Sequence, residues 1–405
     1  METFVLIGGG LAGAKAAEAL RAQGFEGGIV LVAEEPEVPY ERPPLSKGYL
    51  LGSDDREKAR VHEAGWYAEH GVDLRTGVRA VALDPAGHRV ELDSGETLDY
   101  SKLLLATGSS ARRIPVPGAD LDGVRYLRTL ADSDRLLADL REGGRRVVVV
   151  GAGWIGLEVT AAARGYGNDV AVVEPQPTPL FQALGPEMGE MFAFLHRQHG
   201  VHLRTATGVR EFRGDGAVSS VLTDGGDELP ADLVLVGVGA APNTALAEEA
   251  GLEVDGGVVT DAALRTSAPD VYAAGDVARS FHPLYGRHVR VEHWANALNG
   301  GPAAARSMLG QEVSYDRVPY FFTDQYDLGM EYSGLGGPDD TVVCRGNRED
   351  GEFIAFWLSG GRVVAGMNVN VWDVTGPIQK LIRSGREVPV ELLTDPAVPL
   401  EELTG

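Results

Sequence analysis

The chain has 405 residues, 44% of them hydrophobic, and carries a formal charge of −23. That length exceeds what one hydrophobic core usually organises, so two or three domains are expected, and the charge argues against nucleic acid or an anionic membrane as a partner. The single cysteine excludes an intramolecular disulfide, and no apolar stretch reaches the roughly 18 residues that a membrane span needs.

The first predicted strand is Phe4-Val5-Leu6-Ile7, entered so early that no signal peptide fits before it, and a cytoplasmic location is expected. It runs into Gly8, Gly10 and Gly13, and the next apolar run, Ile29 to Val32, is closed by the acidic Glu34. Strand, glycines, helix and an acid roughly 20 residues on are what a dinucleotide site requires. The first glycine permits a tight turn, and the second lets backbone approach a pyrophosphate. The third lets helix and strand pack closely, so that phosphates meet the positive end of the helix. The acid can accept hydrogen bonds from both ribose hydroxyls.

Leu103-Leu104-Leu105-Ala106-Thr107-Gly108 reads as a buried parallel strand whose end, at Thr107 and Gly108, meets a ligand. A linker composition follows over 109–120, with Pro115, Pro117 and Gly118, and then a helix near 132–141. The fingerprint then repeats. Val147 to Val150 enters Gly151, Gly153 and Gly156, and Glu174 closes Val170 to Val173. One such motif is weak evidence, because glycine-rich turns are common; two full copies point to two dinucleotides.

His196, His199 and His202 have ligand-like spacing, but His199-Gly200-Val201 reads as a helix end entering a strand. A solvated cluster is expected there, and no metal site anywhere. Leu233 to Val238 is a further buried strand, finishing in Gly237 and Gly239, and Pro242-Asn243 marks a boundary. Val271-Tyr272-Ala273-Ala274 ends in Gly275 and Asp276, an aspartate placed to meet a ribityl or phosphate group. From Pro319 onward, short apolar runs alternate with glycine-rich turns, predicting an antiparallel sheet with a short helix over 377–383. Cys344 follows Val342-Val343 in one of those runs, and a buried, inert thiol is expected.

The predicted fold is α/β, with two Rossmann-like dinucleotide-binding domains and a C-terminal α+β domain. The boundaries place a discontinuous first domain at 1–110 and 241–318, a second at 111–240, and the C-terminal one at 319–405.

Four strings carry a family resemblance: Pro39-Tyr40-Glu41-Arg42-Pro43-Pro44-Leu45-Ser46-Lys47, Trp154-Ile155-Gly156-Leu157-Glu158, Arg290-Val291-Glu292-His293-Trp294-Ala295-Asn296 and Asp324-Gln325-Tyr326. With them the chain resembles the NADH-dependent ferredoxin reductases of bacterial aromatic-ring dioxygenases and haem monooxygenases, whose wider fold is that of glutathione reductase. The resemblance implies FAD at the first fingerprint and NAD at the second. It assigns Ala12, Glu34, Arg42, Lys47, Val78, Arg128, Asp276 and Trp294 to FAD, and Trp154, Ile155, Glu158, Glu174 and Gly239 to the nicotinamide nucleotide.

By the same resemblance Lys47 and Glu158 form the catalytic pair, the cation favouring reduced flavin and the carboxylate holding the cation; a purely structural ion pair is the alternative. Trp154 either covers the flavin or simply packs in its turn. Tyr320 and Phe322 stand where relatives often carry tryptophan. Asn299-Gly300-Gly301-Pro302 stands where relatives carry a docking cation, which leaves arginines such as Arg306 for that role. The implied partner is a two-iron two-sulfur ferredoxin serving an oxygenase, with the enzyme a monomer or weak dimer. Rubredoxin, a quinone or a small radical as acceptor remains open, as does a nucleotide-sensing flavoprotein of the apoptosis-inducing type.

Overall fold

Phe4 to Ile7 has no polar face, and the strand it forms, Thr3–Ile7, is buried on both sides at the centre of a five-stranded parallel sheet. In spatial order the strands are Val271–Ala273, Lys102–Leu105, Thr3–Ile7, Gly28–Ala33 and Val72–Thr76. Strand alternation sends Phe4 and Leu6 to one face, among Ala16, Leu20 and Ala304 of the helices Leu11–Ala22 and Trp294–Met308. Val5 and Ile7 face the other way, toward Leu83, Val90 and Leu98 of a small antiparallel sheet.

The two helices approach at backbone distance: a Cβ on Gly301 would lie 2.2 Å from the Ala12 carbonyl oxygen. Gly301 is therefore a packing feature of this helix pair.

The computed structural model describes residues 2–404, whose contacts form two units. The sheet just described belongs to the first, which comprises Met1–Glu41, Asp55–Ser110 and Ala240–Pro319. Arg42–Asp54, Ala111–Gly239 and Tyr320–Gly405 form the second.

The second unit repeats the parallel sheet, in the order His202–Arg204, Asp169–Val173, Arg146–Val150, Leu233–Val236 and Val124–Arg125. Its first helix, Leu130–Leu140, opens on a capping box in which Thr129 and Asp132 satisfy each other's backbone N–H groups. Leu136 and Leu140 of that helix share a core with Leu50, and burial contributes about 1.5–3 kcal/mol for each such side chain. Segment 42–54 is held there also by polar contacts, Ser133 donating to the Leu45 carbonyl (2.8 Å) and Tyr166 to that of Leu50 (2.9 Å).

The C-terminal strands form the expected antiparallel sheet, in the order Tyr320–Gln325, Leu328–Gly334, Arg362–Val369, Glu352–Ser359 and Thr341–Asn347, with the helix Thr375–Ser384. This sheet shares one apolar core with the second parallel sheet. Trp357 is fully buried in it, and its Nε1 donates to the Leu184 carbonyl at 3.2 Å. Among the described residues no helix is long and apolar enough to cross a membrane.

Candidate functional site

Both glycine turns have the same construction. Gly8 has φ 124° and Gly151 φ 98°, and a Cβ would lie 2.0 Å from the Ala106 carbonyl oxygen in one and 2.4 Å from that of Gly237 in the other. Gly13 and Gly156 lie against the carbonyls of Gly8 and Gly151, at 2.1 and 2.2 Å for a Cβ. By contrast, Gly10 and Gly153 face open space, with no heavy atom within 4 Å of a Cβ. Each of these two is the N-cap of its helix, Leu11–Ala22 or Trp154–Gly165, and no side chain caps either one. Uncapped first-turn N–H groups and the positive helix end thus meet an open space, which fits a pyrophosphate at both turns.

The two acids differ. Glu34 is exposed just beyond its strand. Glu174 is buried, and its two carboxylate oxygens accept from the backbone N–H groups of Ala152 (2.6 Å) and Gln176 (2.8 Å). It therefore ties the second glycine turn to the end of the adjacent strand.

Some of the other predicted residues lie at the ends of these strands, and the rest lie elsewhere in the two units. Beside the first turn, Thr107 Oγ1 donates to the Asn243 carbonyl (2.8 Å) and Asp276 accepts from Ser109 (2.9 Å). Gly108 and Gly275 both have positive φ, and Gly275 lies against Ala12, with 3.2 Å between a Cβ and the Ala12 Cβ. Val78 is half-buried and bonds through its N–H to the Ala33 carbonyl, while Trp294 Nε1 donates to Glu41 (2.8 Å). In the second unit, Arg42 donates to the Arg128 carbonyl, Ile155 is exposed, and Gly239 has φ 95°. The Trp154 ring packs on Phe321 and Phe192, with centroids 4.5 and 5.8 Å away.

The structure brings Lys47 and Glu158 together. Glu158 lies on the second glycine helix, 3% exposed, and its Oε1 is 2.6 Å from Lys47 Nζ. Its carboxylate also accepts from Thr323 (2.6 Å to Oε1) and from Ser46 at Oε2. The Lys47 ammonium stands 5.3 Å from the Phe322 ring centroid, within cation–π range. Thr323 and Ser46 were not singled out in the sequence, although each lies in or beside a quoted string; nothing local signals that both reach Glu158.

Two expectations need correction. The three histidines are not a solvated cluster, because His196 is fully buried: it lies on the inner face of the helix Phe181–Gln198, bonded to Gln325 (2.9 Å) and Tyr326 (3.1 Å). Only His202 is freely exposed, 3.6 Å from Asp169. Cys344 lies on a strand as expected but is half-buried rather than buried, because Thr341–Asn347 is the edge of its sheet; partial burial still pushes its thiol up. Among the described residues no group of three or more histidine, cysteine or acidic side chains could hold a metal ion.

Burial pushes the His196 ring down to about 4, against an ordinary value near 6.5. The unfolded chain then binds the extra proton first, so stability is full above about pH 6.5 and declines as pH falls toward 4, by up to about 3 kcal/mol. Urea unfolding should show a lower midpoint at pH 5 than at pH 7, with a smaller drop in His196→Gln. Equal drops in the two proteins would exclude His196 as the source.

Residues 2–301 match the pyridine nucleotide-disulphide oxidoreductase family, and residues 320–404 match the reductase C-terminal family. The chain belongs to the ferredoxin reductase branch of that first family. It is 42% identical to the ferredoxin–NAD(+) reductase component of the anthranilate 1,2-dioxygenase system of Burkholderia cepacia, over 99% of this chain and 98% of that one. Identity to putidaredoxin reductase of Pseudomonas putida is 37%, covering 99% and 96%. The crystal structure of the covalent putidaredoxin reductase–putidaredoxin complex superposes with a TM-score of 0.96 at 36% identity, covering 99% of this chain and 98% of that one. With one cysteine in the chain, the disulphide chemistry in the family's name has no intramolecular counterpart here.

Proposed function

We propose that this chain oxidises NADH and delivers the electrons, by way of FAD, to a two-iron two-sulfur ferredoxin serving an oxygenase. In this reading it works in the cytoplasm as a monomer or weak dimer. The observation that carries it is the pair of open glycine turns, each on its own parallel sheet, in a chain with a single cysteine. The relatives' own names, reductases of ferredoxins and of putidaredoxin, support the direction of electron flow.

Residues 1–110 and 241–318 would hold FAD, with Gly8, Gly10 and Gly13 at its pyrophosphate and Glu34 at its ribose. Residues 111–240 would hold NADH, with Gly151, Gly153 and Gly156 at the pyrophosphate and Glu174 at the ribose. The C-terminal domain, 319–405, supplies Thr323 and Phe322 to the surroundings of Lys47. Assignment of Arg42, Lys47 and Arg128 to FAD rests on the resemblance.

When bound, FAD supplies the conversion between two-electron and one-electron chemistry. The chain's own task is orientation, since hydride transfer between aligned rings needs no protein acid or base. The uncapped helix ends hold phosphates, and Glu174 holds ribose hydroxyls. Lys47, fixed by Glu158 and Phe322, keeps a positive charge in one place, where it favours negative charge developing beside it.

The purified protein should be yellow and release free FAD on denaturation. Under anaerobic conditions NADH should then reduce a ferredoxin from the same organism, more slowly as salt rises. Net charge repels an acidic partner at long range, but a local basic patch acts within a Debye length of about 10 Å. Arg306, exposed in the last turn of Trp294–Met308, is one candidate for such a patch. A colourless folded protein that takes up no flavin would refute the FAD assignment. Fast turnover with quinones, rubredoxin or oxygen, and none with ferredoxins, would replace the acceptor.

Cys344→Ser should leave both NADH oxidation and ferredoxin reduction intact. Its side chain lies on an edge strand opposite Ala355, and its thiol is shifted away from the reactive thiolate form. Lost turnover in a folded Cys344→Ser protein would contradict this.

A further inference from the structure

Glu158 is the end of a longer chain of hydrogen bonds. Thr323, which donates to it, is 3.3 Å from Gln325 Nε2; Gln325 Oε1 is 2.9 Å from His196 Nε2; and His196 Nδ1 is 3.1 Å from the Tyr326 hydroxyl. Thr323, Gln325 and His196 are each at most 1% exposed. All five residues belong to the second unit, drawn from two helices and one hairpin.

The polarity of this chain follows from its one member that cannot donate. Glu158, ion-paired with Lys47, only accepts, so the single Thr323 proton points at it. Thr323 must then accept from Gln325, which turns the amide nitrogen toward Thr323 and the amide oxygen toward His196. That oxygen needs a donor, so His196 carries its proton on Nε2, and Nδ1 accepts from Tyr326. Burial, which pushes the ring down to about 4, keeps it singly protonated near neutral pH, as this arrangement needs. Every donor therefore points toward Glu158.

Tyr326 holds the outer end under constraint. It sits in the left-handed region, φ 57°, where a bulky side chain is rare, and its ring stacks on His199 at 3.5 Å and 9°. A residue held in that conformation by a ring stack and a hydroxyl contact presents its O–H in one direction.

We propose that Tyr326, His196, Gln325 and Thr323 are positioning residues, a polarised relay that holds the Glu158 carboxylate, and through it the Lys47 ammonium, in one orientation. The proposal rests on the function proposed above for that pair. It gives the buried histidine and the hairpin turn a role that neither cofactor contact nor packing supplies.

The test uses the FAD-bound protein with 15N-labelled histidine. In the unmodified enzyme the His196 ring nitrogens should report a fixed Nε2–H tautomer. Thr323→Val, which does not touch His196, should shift those signals, and Tyr326→Phe should release the tautomer. Gln325→Leu should slow NADH-driven flavin reduction about fivefold, the size of one hydrogen bond, and should move the flavin midpoint potential. Both effects should vanish in a Glu158→Gln background, because the relay acts only through Glu158.

Unchanged His196 signals in Thr323→Val, or equal Gln325→Leu effects with and without Glu158, would overturn the relay. If Gln325→Leu does not fold, Tyr326→Phe, changed at the half-buried end, carries the same cycle. An unmodified enzyme that reduces no ferredoxin would defeat the proposed function while leaving the histidine signals and flavin reduction readable, so the two failures are distinct.

Discussion

NADH should exceed NADPH in kcat/KM by roughly 5- to 150-fold, the equivalent of about 1–3 kcal/mol for a 2′-phosphate brought against a buried carboxylate. That carboxylate is Glu174, and no arginine lies over 175–180 to receive the phosphate. On the neighbouring strand the Arg204 carbonyl accepts the Glu174 N–H (2.9 Å), but the Arg204 guanidinium is paired with Asp227 at 2.8 Å. Glu174→Ala should narrow the gap, with a cost. It leaves the Ala152 and Gln176 N–H groups without their acceptor, a loss of about 1–3 kcal/mol for a buried donor, so NADH efficiency should fall as well. Adding Asp227→Asn should free Arg204 and raise NADPH efficiency further. Steady-state kinetics with both nucleotides check all three proteins, and equal efficiency in the unmodified enzyme would sink the assignment of Glu174 to the ribose.

The glycine turns were legible in the sequence because their constraints are local. A strand, a residue with φ near +100° and two close backbone approaches leave glycine as the only residue that fits, so Gly8, Gly13, Gly151 and Gly156 announce themselves. The buried parallel strands were legible for a similar reason, as runs with no polar face. What escaped depends on contacts between distant segments. His196 looks like a solvated helix residue until Gln325 and Tyr326, some 130 positions later, close over it. Ser46 and Thr323 become ligands of one carboxylate only when their segments meet the second glycine helix. Gly300-Gly301 reads as a departure from a docking motif, whereas the place of Gly301 against Ala12 makes that glycine a helix-packing residue. The shared core of the C-terminal sheet and the second parallel sheet likewise has no signature in either segment alone.

Lys47→Met should slow NADH-driven flavin reduction tenfold or more, with little change in NADH affinity. Removing a preorganised charge near developing negative charge typically costs about 1–3 kcal/mol of transition-state stabilisation, whereas the nucleotide is held mainly by the glycine turn and Glu174. Methionine keeps the length of the lysine stem but lacks the ammonium that stands over Phe322 and pairs with Glu158. The remaining carboxylate, 3% exposed, then keeps Ser46 and Thr323 as donors but has lost its cation, and an unpaired buried charge destabilises a fold by about 3–5 kcal/mol. A slow rate could therefore reflect a loosened fold. Lys47→Met combined with Glu158→Gln separates the two: it removes the stranded charge and should recover melting temperature, yet flavin reduction should stay slow, because the cation is still missing. Stopped-flow absorbance on FAD-bound protein reads the rate. An unchanged rate in Lys47→Met, or full recovery in the double variant, would reduce the Lys47–Glu158 pair to a structural ion pair.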